Sequence, residues 1–398
     1  MDVRLRCPQH GDDRGQYVAG PYVTGLSVDP ARPMRWVATT VRYDLETGRK
    51  EWVAREPLGV DAKVVGIVGA SGINGTSQGS VIVVAMSAGP ALITVAYDPS
   101  TGRRVWRRTY VGPRGRSAEV SDIVNASGAE QRTDVVVTGT SDGDYATVAY
   151  EGATGKELWV AREGGGAAYA LDTTGEADVV TVTGVRDDPT KPSTFDYLIA
   201  NGQGGPLSTI PSWDVSVRED VAGRIALSGT DTAGPAMIVN GSLAWQKQSP
   251  ESFSTVQFSG DGRRVYLGER PNTDPAADQV EVLKSASGQI RSRTVLPENL
   301  DLVDFAVSPF SDAHLYVLGA VDGSSGQGDK DFLTMSIRPN SGVISWRARF
   351  GRYGRNDLPA SISMTFTNSA SVKSIIVTGA SHTEAGHGLD YATVSYAA

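Results

Sequence analysis

The chain has 398 residues, of which 40% are hydrophobic and 21% charged, a composition typical of folded globular proteins and not of disordered ones. Its formal net charge of −8 repels phosphate, so the sequence predicts no nucleic-acid partner. No apolar run reaches the length of about 18 residues that a membrane helix needs, and no membrane span is predicted.

The first residues, from Met1 onward, lack the apolar core of a signal peptide. Two compartments therefore stay open: the cytoplasm, or the outside of the cell after removal of a leader. Cys7 is the single cysteine, so no intramolecular disulfide can form. Many short apolar runs, separated by turns rich in the 46 glycines, predict an all-β fold.

Three segments align without gaps and share the pattern Tyr-[Asp/Glu]-x-x-Thr-Gly-x-x-x-Trp. They are residues 43–52, 97–106 and 150–159. Weaker copies follow, with Gly241 before Trp245, Gly342 before Trp346, Gly288 before Ser292 in the tryptophan position, and a degenerate copy near Gly204 and Gly205. The copies recur about every 50 residues, which is typical of repeat architectures.

Each repeat contains the same short strands in the same order. The strand 144–150 recurs almost unchanged as 390–396, and an apolar strand before it is expected to end in Thr-Gly, as at Gly139, Gly184 and Gly379. Four short strands in about 50 residues make one blade of a β-propeller. Residues 1–398 are therefore predicted to form a single all-β propeller domain.

The last repeat supplies three strands, near residues 361–366, 373–379 and 390–396. Residues 2–7 resemble an outer strand and are expected to complete that blade, so that the terminal strands close the ring. The outer strands are then 2–7, 50–55, 104–109, 157–162, about 206–210, 243–247, 290–295 and 344–349. This count predicts eight four-stranded blades, with a first inner strand near 16–19; seven blades are the alternative.

The repeated pattern resembles the tryptophan-docking repeat of PQQ-like, quinoprotein-type β-propellers, over nearly the whole chain. The resemblance implies the propeller fold and a tryptophan packed between blades. For the quinone-dependent alcohol dehydrogenases of this fold, it also implies an axial quinone, a Ca²⁺ held by carboxylates and a disulfide between adjacent cysteines. Cys7 alone cannot form that disulfide, and no segment matches the metal ligands. We therefore predict no cofactor and no metal.

Ligands of propellers usually bind in the funnel where loops from each outer strand to the next inner strand meet the loops between second and third strands. Arg114, Arg116 and Arg355 lie in such loops and can hold a carboxylate or phosphate. Trp213 and Tyr353 can stack on a planar or sugar ring, and Asp214 lies beside Trp213. The alternative is that these loops are polar because they are solvated and that Trp213 packs internally.

No recognisable catalytic motif is present. Residues 382–387 carry two histidines, but their spacing of five and Gly386 do not fit the helical zinc-protease motif. The remaining candidates for catalysis are Tyr353, Asp357, His382 and His387. Aspartates recur at the start of third strands, and turn capping is favoured over Ca²⁺ binding for them: Asp144, Asp196, Asp278, Asp331 and Asp390.

Three functions stay open, and whether the chain is an enzyme is left undecided. The absence of a recognisable catalytic constellation favours a monomeric binding or scaffold propeller whose funnel accepts a small molecule, glycan or peptide. The second is a cofactor-independent isomerase, cyclase or hydrolase of bacterial specialised metabolism. The third is a degenerate quinoprotein.

Deletion of residues 1–7 tests the predicted closure of the ring. We expect the truncated chain to melt at a lower temperature than the full chain, because the last sheet would lose its outer strand. Thermal unfolding followed by circular dichroism measures this. An unchanged melting temperature would show that residues 2–7 do not close the ring.

Overall fold

The computed structural model describes residues 16–19, 21–29, 32–59, 62–70, 81–127, 133–173, 179–187, 193–208, 217–219, 224–227, 235–239, 242–247, 252–270, 277–297, 300–308, 310, 314–323, 329–351, 356–366, 371–382 and 389–397. All structural statements concern these residues.

Every regular element in the described ranges is a β-strand, and the strands form seven sheets of four strands and one sheet of three. The first four sheets are β1 (Gln16–Ala19), β2 (Tyr22–Asp29), β3 (Arg32–Tyr43) and β4 (Lys50–Gly59); β5 (Ala62–Ala70), β6 (Val81–Ala88), β7 (Ala91–Tyr97) and β8 (Arg104–Val111); β9 (Ala118–Ser127), β10 (Thr133–Ser141), β11 (Asp144–Glu151) and β12 (Glu157–Glu163); β13 (Gly166–Thr173), β14 (Val179–Arg186), β15 (Thr194–Leu198) and β16 (Gly204–Ser208).

The other four sheets are β17 (Val217–Glu219), β18 (Arg224–Leu227), β19 (Ala236–Val239) and β20 (Ser242–Gln246); β21 (Ser252–Phe258), β22 (Arg264–Arg270), β23 (Gln279–Lys284) and β24 (Ile290–Val295); β25 (Asp301–Val307), β26 (Leu315–Asp322), β27 (Lys330–Arg338) and β28 (Val343–Phe350); β29 (Asp357–Phe366), β30 (Val372–His382) and β31 (Leu389–Ala397). Each sheet is an antiparallel meander whose strands follow chain order.

The first strand of each sheet contacts the first strand of the next sheet, and β29 of the last sheet contacts β1 of the first. These contacts make a closed cycle of inner strands, so the predicted all-β propeller is confirmed. The first inner strand lies at Gln16–Ala19, where the predicted closure requires it. Residues 2–7 lie outside the described residues, so an eighth blade completed by them stays a prediction.

Burial differs between the strands of one sheet. In the second sheet the middle strands β6 and β7 are buried almost throughout, whereas β8 alternates between buried and exposed side chains. Middle strands are covered on both faces by neighbouring sheets, which explains their nearly continuous apolar sequence. Val83 of one sheet and Val120 and Val135 of the next belong to one hydrophobic cluster.

Tryptophans on the outer strands contact the following sheet. Four of them donate the indole N–H to a backbone carbonyl of that sheet: Trp52 to Pro99 at 3.0 Å, Trp106 to Gly152 at 2.8 Å, Trp159 to Ile199 at 2.6 Å and Trp245 to Ser285 at 2.7 Å. Ser292, which stands in the tryptophan position, donates its hydroxyl to the carbonyl of Pro339 at 2.6 Å. The smaller side chain thus retains the hydrogen bond without the ring.

Four turn glycines lie beneath the tryptophan ring of the preceding sheet: Gly102, Gly155, Gly202 and Gly288. Gly155 has φ of +68°, and a Cβ on it would lie 2.5 Å from Cδ2 of Trp106. The left-handed backbone and the close approach of the ring both require glycine at this position.

Two sequence predictions need correction. The turn glycine of the fourth repeat is Gly202, not Gly204 or Gly205, because Gly202 has φ of +68° and its Cβ position lies 2.6 Å from Trp159. Gly139 and its counterparts do not end their strands. The second strands continue to Ser141, Arg186 and His382.

The interface between the fourth and fifth sheets, called a seam, differs from the other interfaces between neighbouring sheets that the structure describes. Pro206 stands four residues after Gly202, in the tryptophan position, and is exposed. Proline has no side-chain donor, so it cannot replace the hydrogen bond that Ser292 retains elsewhere. We expect this seam to be held mainly by contacts between its inner strands, β13 and β17.

Substitution of Trp159 tests the contribution of the tryptophan contact to stability. Trp159→Ala removes a ring that is only 7% exposed and an indole hydrogen bond, and should lower the free energy of unfolding by about 3–5 kcal/mol. Val160→Ala is the matched control, because Val160 is the next residue and is 37% exposed. Denaturant unfolding measures both variants. A loss below about 1 kcal/mol for Trp159→Ala would contradict the stabilising role.

Candidate functional site

Six of the described inner strands carry a β-bulge at the same position. The extra residue in each strand is Val65 in β5, Ser121 in β9, Tyr169 in β13, Ser254 in β21, Val303 in β25 and Ala360 in β29. Because the inner strands contact one another in a cycle, the bulges form a ring around the axis. These six residues are called the bulge ring.

Glycines of the second strands lie opposite several of these bulges. A Cβ on Gly139 would lie 2.1 Å from the carbonyl oxygen of Glu119, and one on Gly184 would lie 2.0 Å from that of Ala167. The backbones therefore approach too closely for any other residue. This close approach is the structural reason for the repeated Thr-Gly pair on the second strands.

A bulge can re-aim the side chain of its extra residue, and four of the six extra residues show the effect. Ser121 is partly exposed although its neighbours Val120 and Asp122 are buried, and Tyr169 is partly exposed between two buried alanines. Val303 and Ala360 are also partly exposed, whereas Val65 is buried. Since the free edge of an inner strand faces the axis, the exposed members of the bulge ring line the axial space.

Buried polar side chains join neighbouring inner strands. Asp122 accepts a hydrogen bond from the backbone N–H of Leu171 at 3.0 Å, and Asp304 accepts one from Ile362 at 3.3 Å. The Gln257 amide donates to the carbonyl of Phe305 at 2.6 Å. Buried polar groups that are satisfied in this way make the inner wall rigid.

One loop of the predicted funnel face is held by the carboxylate of Asp142, in the hairpin between β10 and β11. It accepts hydrogen bonds from the backbone N–H groups of Arg114 and Arg116, both at 2.8 Å. The N–H of Arg116 is the main reason that the pKa of Asp142 is lowered below its usual value. The loop 112–117 of one sheet is therefore fastened to the hairpin of the next, on the face predicted for such loops.

The predicted ligand-binding arginines differ in their surroundings. The Arg114 side chain donates to the carbonyl of Asp142 and lies 3.6 Å from Asp144, so part of its charge is neutralised within the protein. Arg116 is exposed. Trp213, Asp214, Tyr353 and Arg355 lie outside the described residues, and their place in a ligand site stays a prediction.

The catalytic candidates are less fully described. Asp357 begins β29, pairs with Ser381 and is fully buried. The backbone of His382 ends β30 opposite Leu389. Tyr353 and His387 lie outside the described residues.

The repeated aspartates hold neighbouring chain segments. Asp144 accepts hydrogen bonds from Arg162 at 2.9 Å and from the backbone N–H of Gly165 at 3.0 Å, and the latter is the main cause of its lowered pKa. Asp331 pairs with Arg349 at 2.6 Å. In the described part of the chain, no three His, Cys, Asp or Glu side chains are placed to hold a metal ion.

Sequence reasoning missed a cluster around Arg186. The Cζ atom of Arg186 lies 5.5 Å from the ring centroids of both Tyr145 and Phe195. The Tyr145 hydroxyl donates to the carbonyl of Ser193 at 3.1 Å, and burial raises the pKa of Tyr145, against the opposing effect of Arg186. The only signal in the sequence is that Arg186 follows Gly184 by two residues. This spacing places Arg186 in a strand only because β14 continues past the glycine.

Comparison with known proteins supports the fold. No family model and no curated protein matches the sequence. Among solved structures, the chain is similar to quinohemoprotein alcohol dehydrogenase from Comamonas testosteroni, with a TM-score of 0.56 and 11% identity, over 96% of this chain and 72% of that one. Hydrazine synthase from Kuenenia stuttgartiensis matches with a TM-score of 0.47 and 14% identity, over 62% of this chain and 73% of that one.

The first similarity supports the propeller fold and says nothing about activity, because 11% identity shows the fold alone. Among the residues that the structure describes, no helix could cross a membrane.

Replacement of Asp142 tests how the funnel loop is held. Asp142 has φ of +58°, which glycine adopts without strain, so Asp142→Gly removes the carboxylate alone. Amide hydrogen exchange at Arg114 and Arg116 should accelerate by about tenfold or more. Asp142→Asn keeps one acceptor oxygen, so its exchange rates should lie between those of the wild type and those of Asp142→Gly. Unchanged exchange in Asp142→Gly would contradict the proposed attachment.

The carboxylate of Asp142 also predicts how the stability of the protein depends on pH. Folding lowers the pKa of Asp142, so its stabilising contribution is complete above the ordinary carboxyl pKa of about 4 and is lost as the pH falls through the lower folded value. The difference in stability between the wild type and Asp142→Gly should therefore shrink below about pH 4. Thermal unfolding at several pH values measures it.

Proposed function

We propose that the protein is a binding propeller that holds a small molecule, glycan or peptide in its central funnel, against the bulge ring. The observation that carries this proposal is the accessibility of the bulge residues. Ser121 and Tyr169 are partly exposed within strands whose adjacent residues are buried. A protein that needed only a packed axis would gain nothing from bulges that leave four such side chains accessible.

The chemistry of the ring is divided between its two sides. The hydroxyl-bearing Ser121 and Tyr169 belong to adjacent sheets, and the apolar Val303 and Ala360 belong to two adjacent sheets farther along the chain, beyond two intervening sheets. Binding sites commonly combine an apolar lining with a few placed polar groups. The arrangement fits an amphipathic ligand whose polar groups face Ser121 and Tyr169.

Rigidity supports the same proposal. The hydrogen bonds of Asp122, Gln257 and Asp304 join adjacent inner strands and fix the spacing between bulges. A wall that is rigid before binding loses little conformational entropy when a ligand arrives, which favours affinity.

Axial substitutions test the proposal. A panel of monosaccharides, dipeptides, nucleosides and aromatic acids is screened by ligand-observed NMR, and the hits are titrated against variants. Ser121→Trp places a large side chain in the axial space and should weaken binding by about tenfold or more.

The control is Val105→Trp, on an outer strand, where Val105 is 50% exposed. Binding by this variant should equal that of the wild type. Hits that bind Ser121→Trp as tightly as the wild type, or a panel without any hit, would contradict an axial small-ligand site.

A further inference from the structure

Arg186 is a cation with unusual surroundings. Its Nε and Nη1 atoms are shielded from solvent and have no hydrogen-bond acceptor among the described residues. Its guanidinium is held instead by the rings of Tyr145 and Phe195, which are 1% and 3% exposed. Shielded N–H groups without acceptors are costly, so this arrangement needs an explanation.

Other arginines of the same face have acidic partners. Arg162 lies 2.9 Å from Asp144, and Arg270 lies 3.0 Å from Asp278. In the described ranges no carboxylate lies within 4.0 Å of Arg186. The aromatic faces offset part of the cost of shielding its charge, but they accept no conventional hydrogen bond.

Two described acidic groups of this region, Asp144 and Glu163, are engaged elsewhere. Asp144 is bound by Arg162 and by the N–H of Gly165. Glu163 interacts with the hydroxyl of Tyr197. Asp187, the next residue after Arg186, is exposed, and its backbone N–H donates to the carbonyl of Gly165 at 3.0 Å. The guanidinium is therefore a positive group that the described protein leaves unneutralised.

The position of Arg186 connects it to the funnel. Arg186 ends β14 opposite Gly166, the first residue of the inner strand that carries Tyr169. Tyr169 lies close enough to raise the pKa of Tyr145 slightly, in addition to the larger effect of burial, so both tyrosines and Arg186 share one region. The side chain of Arg186 is partly exposed there.

We propose that Arg186 anchors the carboxylate of a small organic anion bound in the funnel. This inference rests on the proposed function and narrows its ligand to one that carries a carboxylate. A planar guanidinium that neighbouring rings hold in place is suited to a planar carboxylate, because few rotamers have to be frozen on binding. The body of the ligand would extend toward Tyr169 of the bulge ring.

Benzoate, its neutral isostere benzamide, and inorganic phosphate are the probes, titrated calorimetrically into the full chain. Benzoate should bind more tightly than benzamide and phosphate. Arg186→Gln should weaken benzoate binding by about tenfold or more and leave benzamide unchanged. Arg186→Lys, which keeps a positive charge, should lose less benzoate affinity than Arg186→Gln. It replaces Arg186→Gln as the test variant if Arg186→Gln does not fold. Arg103→Gln, on an exposed turn of the opposite face, is the control and should bind like the wild type.

The outcomes separate this inference from the proposed function. Equal binding of benzoate and benzamide, tighter binding of phosphate, or full benzoate affinity in both Arg186 variants would overturn the carboxylate anchor, while neutral ligands that Ser121→Trp displaces would still support a funnel site. Conversely, benzoate binding that depends on Arg186 and is unaffected by Ser121→Trp would support the anchor and contradict the axial site.

Discussion

Burial of both faces of every sheet is the constraint on which the rest of the structure depends. A four-stranded antiparallel meander has two apolar faces and cannot cover either one by itself. The buried middle strands β6 and β7 satisfy this need only because the sheets before and after them pack against both sides. A ring in which the first strand of the last sheet contacts that of the first provides two neighbours for every sheet.

The contacts between sheets are strengthened at the periphery by a repeated interaction. Trp52, Trp106, Trp159 and Trp245 each cover a turn of the following sheet and donate one hydrogen bond to it, and Ser292 keeps that bond without the ring. Pro206 loses it. The seams between neighbouring sheets are therefore unequal in strength. We expect the seam between the fourth and fifth sheets to depend most on contacts between its inner strands.

The axis is shaped by the same repetition. Five of the six bulges lie opposite a glycine of the second strand, and at Gly139 and Gly184 the two backbones are so close that no space is left for a Cβ. Repetition of this local irregularity around the ring places accessible side chains of four bulged strands on the axial wall, namely Ser121, Tyr169, Val303 and Ala360. A site of this type differs from one built on a single loop, because its residues are far apart in the sequence and share only their position in the repeat. Arg186, at the end of the second strand β14, adds a charge beside the start of the inner strand that carries Tyr169.

Periodicity in the sequence by itself determined the fold class and, within the described residues, the approximate outer strands and the turn glycines other than Gly202, because these depend on contacts that recur in most repeats. It also placed the first inner strand at Gln16–Ala19. It could not place Gly202, whose repeat has lost its tryptophan, and it ended the second strands too early at Gly139, Gly184 and Gly379. The bulge ring and the rings around Arg186 were decided by tertiary structure alone. A bulge depends on the distance between two backbones, which only the folded sheet sets. Whether the charge of Arg186 has a partner depends on how the neighbouring sheets pack around it.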